Sequence, residues 1–289
     1  MDIDIPGRTL KLDEFNIDTL VSDEKGDFIN PRIAIIAPSG SGKSWVVRSL
    51  MHKMRDIPCG VVIAPTDGVS RFFDDFVPKL YIHHEYRPNI IPALIDRQKK
   101  MIKKNQEREK LGKKLLDPRA FLIMDDCMAD KDKWRKDPIF LELMNQGRHY
   151  KITFILTMQY SIGIQPELRS QFNYVFLLGD DVASNRKKIW EHWAGVFPKQ
   201  DLFEKVFAHA TNNFGSLVVN NRIKSMDLTQ KVFWFKAKKV NDFMVGSKKY
   251  IAFSETRFDP DYAEKGQLFD VMNYGCKKQS NIIVKLIKE

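Results

Sequence analysis

Residues 33–44 read Ile33-Ala34-Ile35-Ile36-Ala37-Pro38-Ser39-Gly40-Ser41-Gly42-Lys43-Ser44, an apolar run that enters a glycine-rich turn ending in Gly-Lys-Ser. These residue types in this order can hold a polyphosphate. Gly40 and Gly42 let the backbone curl so that successive N–H groups point inward at a β-phosphate. A helix beginning near Lys43 turns its positive end toward the same anion. Lys43 is spaced to reach β- and γ-phosphates, and the Ser44 hydroxyl to ligate Mg²⁺. The expected nucleotide-binding set is Ala37, Pro38, Ser39, Gly40, Ser41, Gly42, Lys43, Ser44 and Trp45, with Ala37 where the commoner pattern has Gly. A Gly/Ser turn between a strand and a helix could carry the same letters without function. The apolar strand before the turn and the helical spacing of Trp45-Val46-Val47-Arg48-Ser49-Leu50-Met51 after it favour the phosphate loop.

A second piece of chemistry lies downstream, where Ala120-Phe121-Leu122-Ile123-Met124 runs into Asp125-Asp126. A strand of this kind delivers its first carboxylate to the C-terminal edge of a sheet, beside the loop, where it can hold Mg²⁺. The second can polarise a water in line with the γ-phosphate. Asp125 is therefore expected at the metal with Ser44, and Asp126 as general base. Gln159 ends the next apolar strand, Ile152-Thr153-Phe154-Ile155-Leu156-Thr157. If that strand lies between the other two, its amide reaches the γ-phosphate. Arg148, in Gln146-Gly147-Arg148-His149, precedes the same strand. Its guanidinium suits the charge spread over a transferring phosphoryl group of a neighbouring subunit. A surface arginine beside a helix C-terminus accounts for it as well.

The elements that must position these groups follow from periodicity. Strands are expected at Ile33–Ile36, Gly60–Ala64, Ala120–Met124, Ile152–Thr157, Tyr174–Leu178, Ser216–Val219 and Val232–Phe235, with a further one at Ile282–Val284. Helices intervene, as parallel strands require. The extra strand Val61–Ala64 between the loop strand and the Asp125 strand argues for the ATPase division with an inserted strand. The expected fold class is α/β, a P-loop NTPase with a mainly parallel central sheet of the additional-strand type. A guanine-reading Asn-Lys-x-Asp is absent, which argues against a simple GTPase. Residues 1–32 read as a leader packing on the core, 33–240 as the ATPase domain, and 241–289 as a basic C-terminal extension.

The chain has 289 residues, 43% of them apolar, and a formal charge of +10. That basic balance points to a polyanionic partner, nucleic acid first. The excess is concentrated: Arg97 to Lys114 holds nine basic residues against Glu107 and Glu109, a net +7. It reads equally as a solvated helix face and as a nucleic-acid or partner surface. No apolar stretch is long enough to cross a membrane. The acidic Met1-Asp2-Ile3-Asp4 is followed by no apolar run, so no secretory signal is expected. Cys59, Cys127 and Cys276 form no metal-binding pattern and fit a reducing compartment.

The phosphate loop, the Asp-Asp strand end, Gly147-Arg148-His149 and Leu156-Thr157-Met158-Gln159 together resemble the genome-packaging ATPases of large double-stranded DNA viruses and virophages. These are the poxvirus-type members of the FtsK–HerA superfamily. Ser184-Asn185-Arg186-Lys187-Lys188, Trp193-Ala194-Gly195-Val196-Phe197-Pro198 and Val232-Phe233-Trp234-Phe235-Lys236-Ala237 are similar to the same group, so the likeness spans about Ile33 to Ala237. The resemblance implies an ATP- and Mg²⁺-dependent translocase that drives double-stranded DNA into a preformed capsid, acting as a ring. It implies capsid or portal-vertex proteins as partners, and the host cytoplasm or the virion as the location. It casts Lys43, Asp126, Gln159 and Arg148 as the catalytic set, Gln159 as sensor and Arg148 as a trans-acting finger. Many relatives in the wider superfamily have Asp-Glu where this chain has Asp-Asp, which leaves the shorter Asp126 with less reach. A helicase or other DNA-pumping ATPase shares the chemistry. A nucleotide-binding structural subunit would need neither Asp126 nor Gln159.

Overall fold

The parallel strands are mostly apolar because both of their faces are covered. Every residue of β3 (Arg32–Ile36), β7 (Ile152–Met158) and β8 (Tyr174–Leu178) is buried, the pattern of a sheet between two helical layers. The computed structural model describes residues 1–5, 8–22, 28–225 and 227–260. The strand expected at Ile282–Val284 and the thiol of Cys276 lie outside the described residues.

The chain starts with an antiparallel hairpin, β1 (Asp2–Ile5) and β2 (Arg8–Lys11). Then come β3, α1 (Lys43–Lys53), β4 (Gly60–Ile63), β5 (Ile82–His83), α2 (Ile90–Lys110), β6 (Ala120–Asp125) and α3 (Pro138–Gln146). After β7 and β8 follow α4 (Ala183–Trp193), α5 (Gln200–Ala210), β9 (Gly215–Asn220), β10 (Val232–Lys236) and α6 (Lys248–Arg257). The eight-stranded sheet has the order β10-β9-β8-β3-β7-β6-β4-β5. From β8 to β5 every pairing is parallel, and β9 and β10 close one side as an antiparallel pair.

Alternation along β3 assigns the two layers. Ala34 and Ile36 pack with Ile91 and Leu94 of α2, Leu143 of α3 and Phe203 and Phe207 of α5. Ile33 and Ile35 pack with Val46, Val47, Leu50 and Met51 of α1 and with Phe73 and Phe76. The hairpin belongs to the first layer, where Ile3, Leu10 and Leu12 are buried.

The strand inserted between the loop strand and the Asp125 strand is β7. The segment around Val61 lies beyond β6 instead, so the additional-strand class holds through a different strand from the one the chain order suggested. Residues 241–257 are also part of the core. Tyr250 Oη donates to Gly60 O at 2.7 Å, its ring stacks on Tyr81 at 3.9 Å, and Ser254 Oγ accepts from Leu80 N at 3.1 Å. The unit containing the sheet runs Met1–Arg257, so the boundary expected at 240 falls inside it. Among the described residues no helix is long and apolar enough to cross a membrane.

Candidate nucleotide site

The C-terminal ends of β3, β6 and β7 converge on one cleft. Gly40 and Gly42 sit at φ 78 and φ 96, left-handed values that a side chain would oppose and that the tight loop requires. Gly42 caps α1, and the first turn of that helix contains no acidic residue. Its positive end is therefore uncompensated and faces the loop. Ser41 Oγ donates to Pro38 O at 2.7 Å and closes the turn. Ala37 is buried and extends the ladder, its N–H donating to Met158 O at 2.9 Å. These two residues shape the loop without lining the cleft. Pro38, Ser39, Gly40, Gly42, Lys43, Ser44 and Trp45 do line it.

Lys43 Nζ lies 3.7 Å from Asp125 Oδ1 and 3.9 Å from Asp126 Oδ2. Gln159 Nε2 donates to Asp126 Oδ2. The inserted position of β7 thus brings Lys43, Asp125, Asp126 and Gln159 together in a cleft of about 750 Å³. Asp126 takes φ 53 just after β6, a left-handed turn that Asp tolerates.

Thr157 is a site residue that motif reading missed. Its Oγ1 donates to Asp125 Oδ1 at 2.6 Å and accepts from Asp126 N at 3.1 Å. From β7 it holds the Asp125 carboxylate and the backbone of Asp126, and a hydroxyl two residues before Gln159 in a wholly buried strand was the available signal. Asp67 was missed as well. It follows β4 at the same sheet edge, is buried, and accepts at Oδ1 from Phe72 N at 2.7 Å and Ser70 Oγ at 2.8 Å. Its Oδ2 has no hydrogen-bond partner among the described residues. Burial pushes the Asp125 carboxyl above its ordinary value. The Lys43 charge and the Thr157 hydrogen bond oppose that rise, while Asp126 and Asp67 add to it. A cation at this point relieves a carboxylate that burial disfavours.

The donors suit Mg²⁺ by type, since Ser44 and Asp125 offer hard oxygens. Among the described residues no three His, Cys, Asp or Glu side chains are placed to cage a metal. A Mg²⁺ bound by these two oxygens would take phosphate oxygens and water for its remaining positions.

Arg148 is not in this cleft. It precedes β7, at the opposite edge of the sheet. The seven residues of β7 separate it from Gln159, roughly 20 Å at about 3.3 Å per residue. It lines a polar pocket of about 320 Å³ with His149, Lys151, Asn173 and Arg222. Among the described residues, Arg148, Lys151 and Arg222 have no carboxylate partner. Burial, then the Arg148 charge, lowers the pKa of the neighbouring Arg32 guanidinium.

A loop-cradled cation between two strand-end carboxylates, on a parallel sheet with an inserted strand, defines a P-loop ATPase of the additional-strand class. The chain belongs to the poxvirus A32 protein family, whose model matches residues 14–191. It is a DNA-packaging ATPase of the type that its motifs resemble. Protein L437 of Acanthamoeba polyphaga mimivirus is 41% identical over 252 residues, covering 87% of this chain and 86% of that one. The solved ATPases 2 and 3 of EssC from Geobacillus thermodenitrificans share the fold at 13% identity, with a TM-score of 0.50 over 90% of this chain and 53% of that one. The genome packaging NTPase B204 from Sulfolobus turreted icosahedral virus 2, solved in complex with AMPPCP, aligns over 73% of this chain and 99% of that one, at 16% identity and a TM-score of 0.48.

Proposed function

We propose that this ATPase is a ring-forming translocase that pumps viral double-stranded DNA into a preformed capsid. The observation that carries the reading is the meeting of Lys43, Asp125, Asp126 and Gln159 at one sheet edge, in a chain of the poxvirus A32 family.

The residues divide the work as follows. Loop N–H groups and Lys43 hold the β- and γ-phosphates. Ser44 and Asp125 would hold Mg²⁺, which when bound would supply charge neutralisation to the phosphates. Asp126 accepts the proton of the attacking water, and Gln159, bonded to the same carboxylate, keeps it aimed. Loss of the γ-phosphate changes what Gln159 can bond, which makes it the sensor. Arg148, too far from its own cleft, serves the cleft of the next subunit in a head-to-tail ring.

DNA contact falls to α2. Lys99 is paired with Glu142 at 3.0 Å, whereas Lys100, Lys103 and Lys104 are exposed and have no ion pair among the described residues. Three free cations along one helix suit the phosphate backbone, which gives salt-sensitive, sequence-tolerant binding. Capsid or portal-vertex proteins would receive the ring at the viral assembly site in the host cytoplasm or in the virion.

The deciding experiment is an ATPase assay with and without double-stranded DNA, run beside a mass measurement of the assembly. Hydrolysis that rises with duplex DNA in an oligomer supports the reading. Turnover indifferent to DNA in a monomeric chain refutes it.

A further inference from the structure

One wall of the nucleotide cleft is made by a residue that none of the phosphate-binding motifs includes. Residues 211–214 link α5 to β9. Within them Asn213 takes φ 50, ψ 52 and Phe214 takes φ 59. Asn adopts this left-handed backbone readily, whereas a bulky aromatic residue does so rarely. The next residue leaves no slack, since a Cβ on Gly215 would fall 2.2 Å from Ala210 O. This unfavourable backbone holds the Phe214 side chain out of the core, 65% exposed. The ring is set against the phosphate loop, with Phe214 Cβ and Cδ1 each 3.6 Å from where a side chain on Gly42 would begin. It lines the same cleft as Lys43, Asp125 and Asp126. A strained backbone that places an apolar ring in solvent beside a ligand cleft points to a ligand for the ring.

Strand order tells which end of the ligand that is. Asp125, Asp126 and Gln159 end β6 and β7, on one side of the loop strand β3. Phe214 precedes β9, and Lys236 and Ala237, which also line the cleft, end β10, on the other side of β3 beyond β8. A triphosphate whose γ-group points at the carboxylates carries its ribose and base away from them, toward Phe214. We infer that Phe214 is the stacking wall for the base of the bound nucleoside triphosphate, with Lys236 and Ala237 beside it. Every base has a π-face, so a stacking wall binds bases with little regard to their edges. The inference rests on the proposed nucleotide site and names its base-binding part.

The test is equilibrium binding of ATP and of inorganic tripolyphosphate, which fills the loop but has no base. The proteins are the unmodified chain, Phe214→Ala, Phe214→Gly and Phe214→Trp. Gly takes φ 59 without strain, so Phe214→Gly remains a usable variant where Phe214→Ala is destabilised. The expected result is ATP binding weakened about tenfold in the Ala and Gly variants and retained with Trp. Tripolyphosphate binding stays within about twofold of the unmodified chain throughout. ATP binding unchanged in both the Ala and Gly variants overturns the inference. So does an equal loss of ATP and tripolyphosphate, which would make the ring a prop for the loop. An unmodified chain that binds neither ligand removes the nucleotide site itself, a distinct failure that takes the base wall with it.

Discussion

Arg148→Ala offers the sharpest test of how the subunits cooperate. The side chain starts before β7, and Gln159 follows the far end of that strand. At about 3.3 Å per residue the gap is roughly 20 Å, well beyond the reach of one arginine. A catalytic role is then confined to a neighbour's cleft. Removing an arginine finger lowers turnover by about 10³ to 10⁵ while the phosphate loop still binds nucleotide. Asp126→Asn damages the other half of the interface and costs at least about a hundredfold. Neither pure variant should turn over appreciably. In a random equal mixture, an interface works when its cleft comes from an Arg148→Ala chain and its arginine from an Asp126→Asn chain. That combination occurs at about one interface in four. Mixing should therefore restore up to about a quarter of normal ATPase activity per chain. If Arg148 acted within its own subunit, every chain in the mixture would remain defective and no activity would return. The assay is steady-state phosphate release across mixing ratios, with mixed assembly verified by mass. Absence of rescue in verified mixed oligomers would refute the trans role.

Three further outcomes follow from particular contacts. Asp125→Asn should raise the melting temperature of the nucleotide-free protein at neutral pH while abolishing Mg·ATP turnover. Burial holds the folded Asp125 carboxyl above its unfolded value, so its ionisation penalises folding as pH rises from the ordinary carboxylate range to that raised value. The penalty stays in full above it, and the advantage of the variant should vanish below that range, as thermal melts across pH would show. Replacing Lys100, Lys103 and Lys104 with Gln should weaken duplex binding, flatten its logarithmic salt slope by up to about three and spare basal ATPase. A slope equal to that of the unmodified chain would move the helix to another partner. Tyr250→Phe removes the 2.7 Å hydrogen bond to Gly60 O and should cost about 1 kcal/mol in denaturant unfolding, with ATP hydrolysis preserved.

Local chemistry made much of the site legible. Gly40, Gly42 and Lys43 are recognisable because the turn needs positive φ and a cation at fixed offsets. Asp125 and Gln159 are recognisable because each ends a mostly apolar run, and parallel strands deliver such ends to one edge. What sequence could not supply was lateral order. Val61 and Ile155 lie in apolar runs that look alike, and nothing local states which one is inserted beside β3. The partners that depend on that order were missed in proportion: Thr157 meets Asp125 only because β7 lies next to β6, and Asp67 matters only because β4 flanks β6. The start of the extension read at 241–289, residues 241–257, belongs to the unit that contains the sheet, and it was misplaced for a related reason. Tyr250 finds its acceptor at Gly60, 190 residues away, and no periodicity encodes such a distance.

The position of the inserted strand β7 bears on how the nucleotide cleft would communicate with the opposite edge of the sheet. β7 runs between the two edges of the sheet, with Gln159 directly after its last residue and Arg148 four residues before its first, across a turn. Gln159 bonds the carboxylate that would activate water, and Arg148 is exposed beside Lys151 and Arg222, none of which has a carboxylate partner among the described residues. If Arg148 serves a neighbour's cleft, a change at the γ-phosphate that shifts Gln159 would act on the strand that follows the turn bearing Arg148. Because β7 is hydrogen-bonded on both sides, to β3 and to β6, it is suited to pass displacement along its length rather than to absorb it by bending. Substituting Thr157 by Val keeps the shape of the strand and removes the bond to Asp125. If β7 couples the two edges, that variant should impair the coordination of firing between subunits, read as a loss of cooperativity in ATP dependence, beyond its effect on single-site turnover. Cooperativity intact at reduced turnover would confine Thr157 to holding the Asp125 carboxylate and the backbone of Asp126.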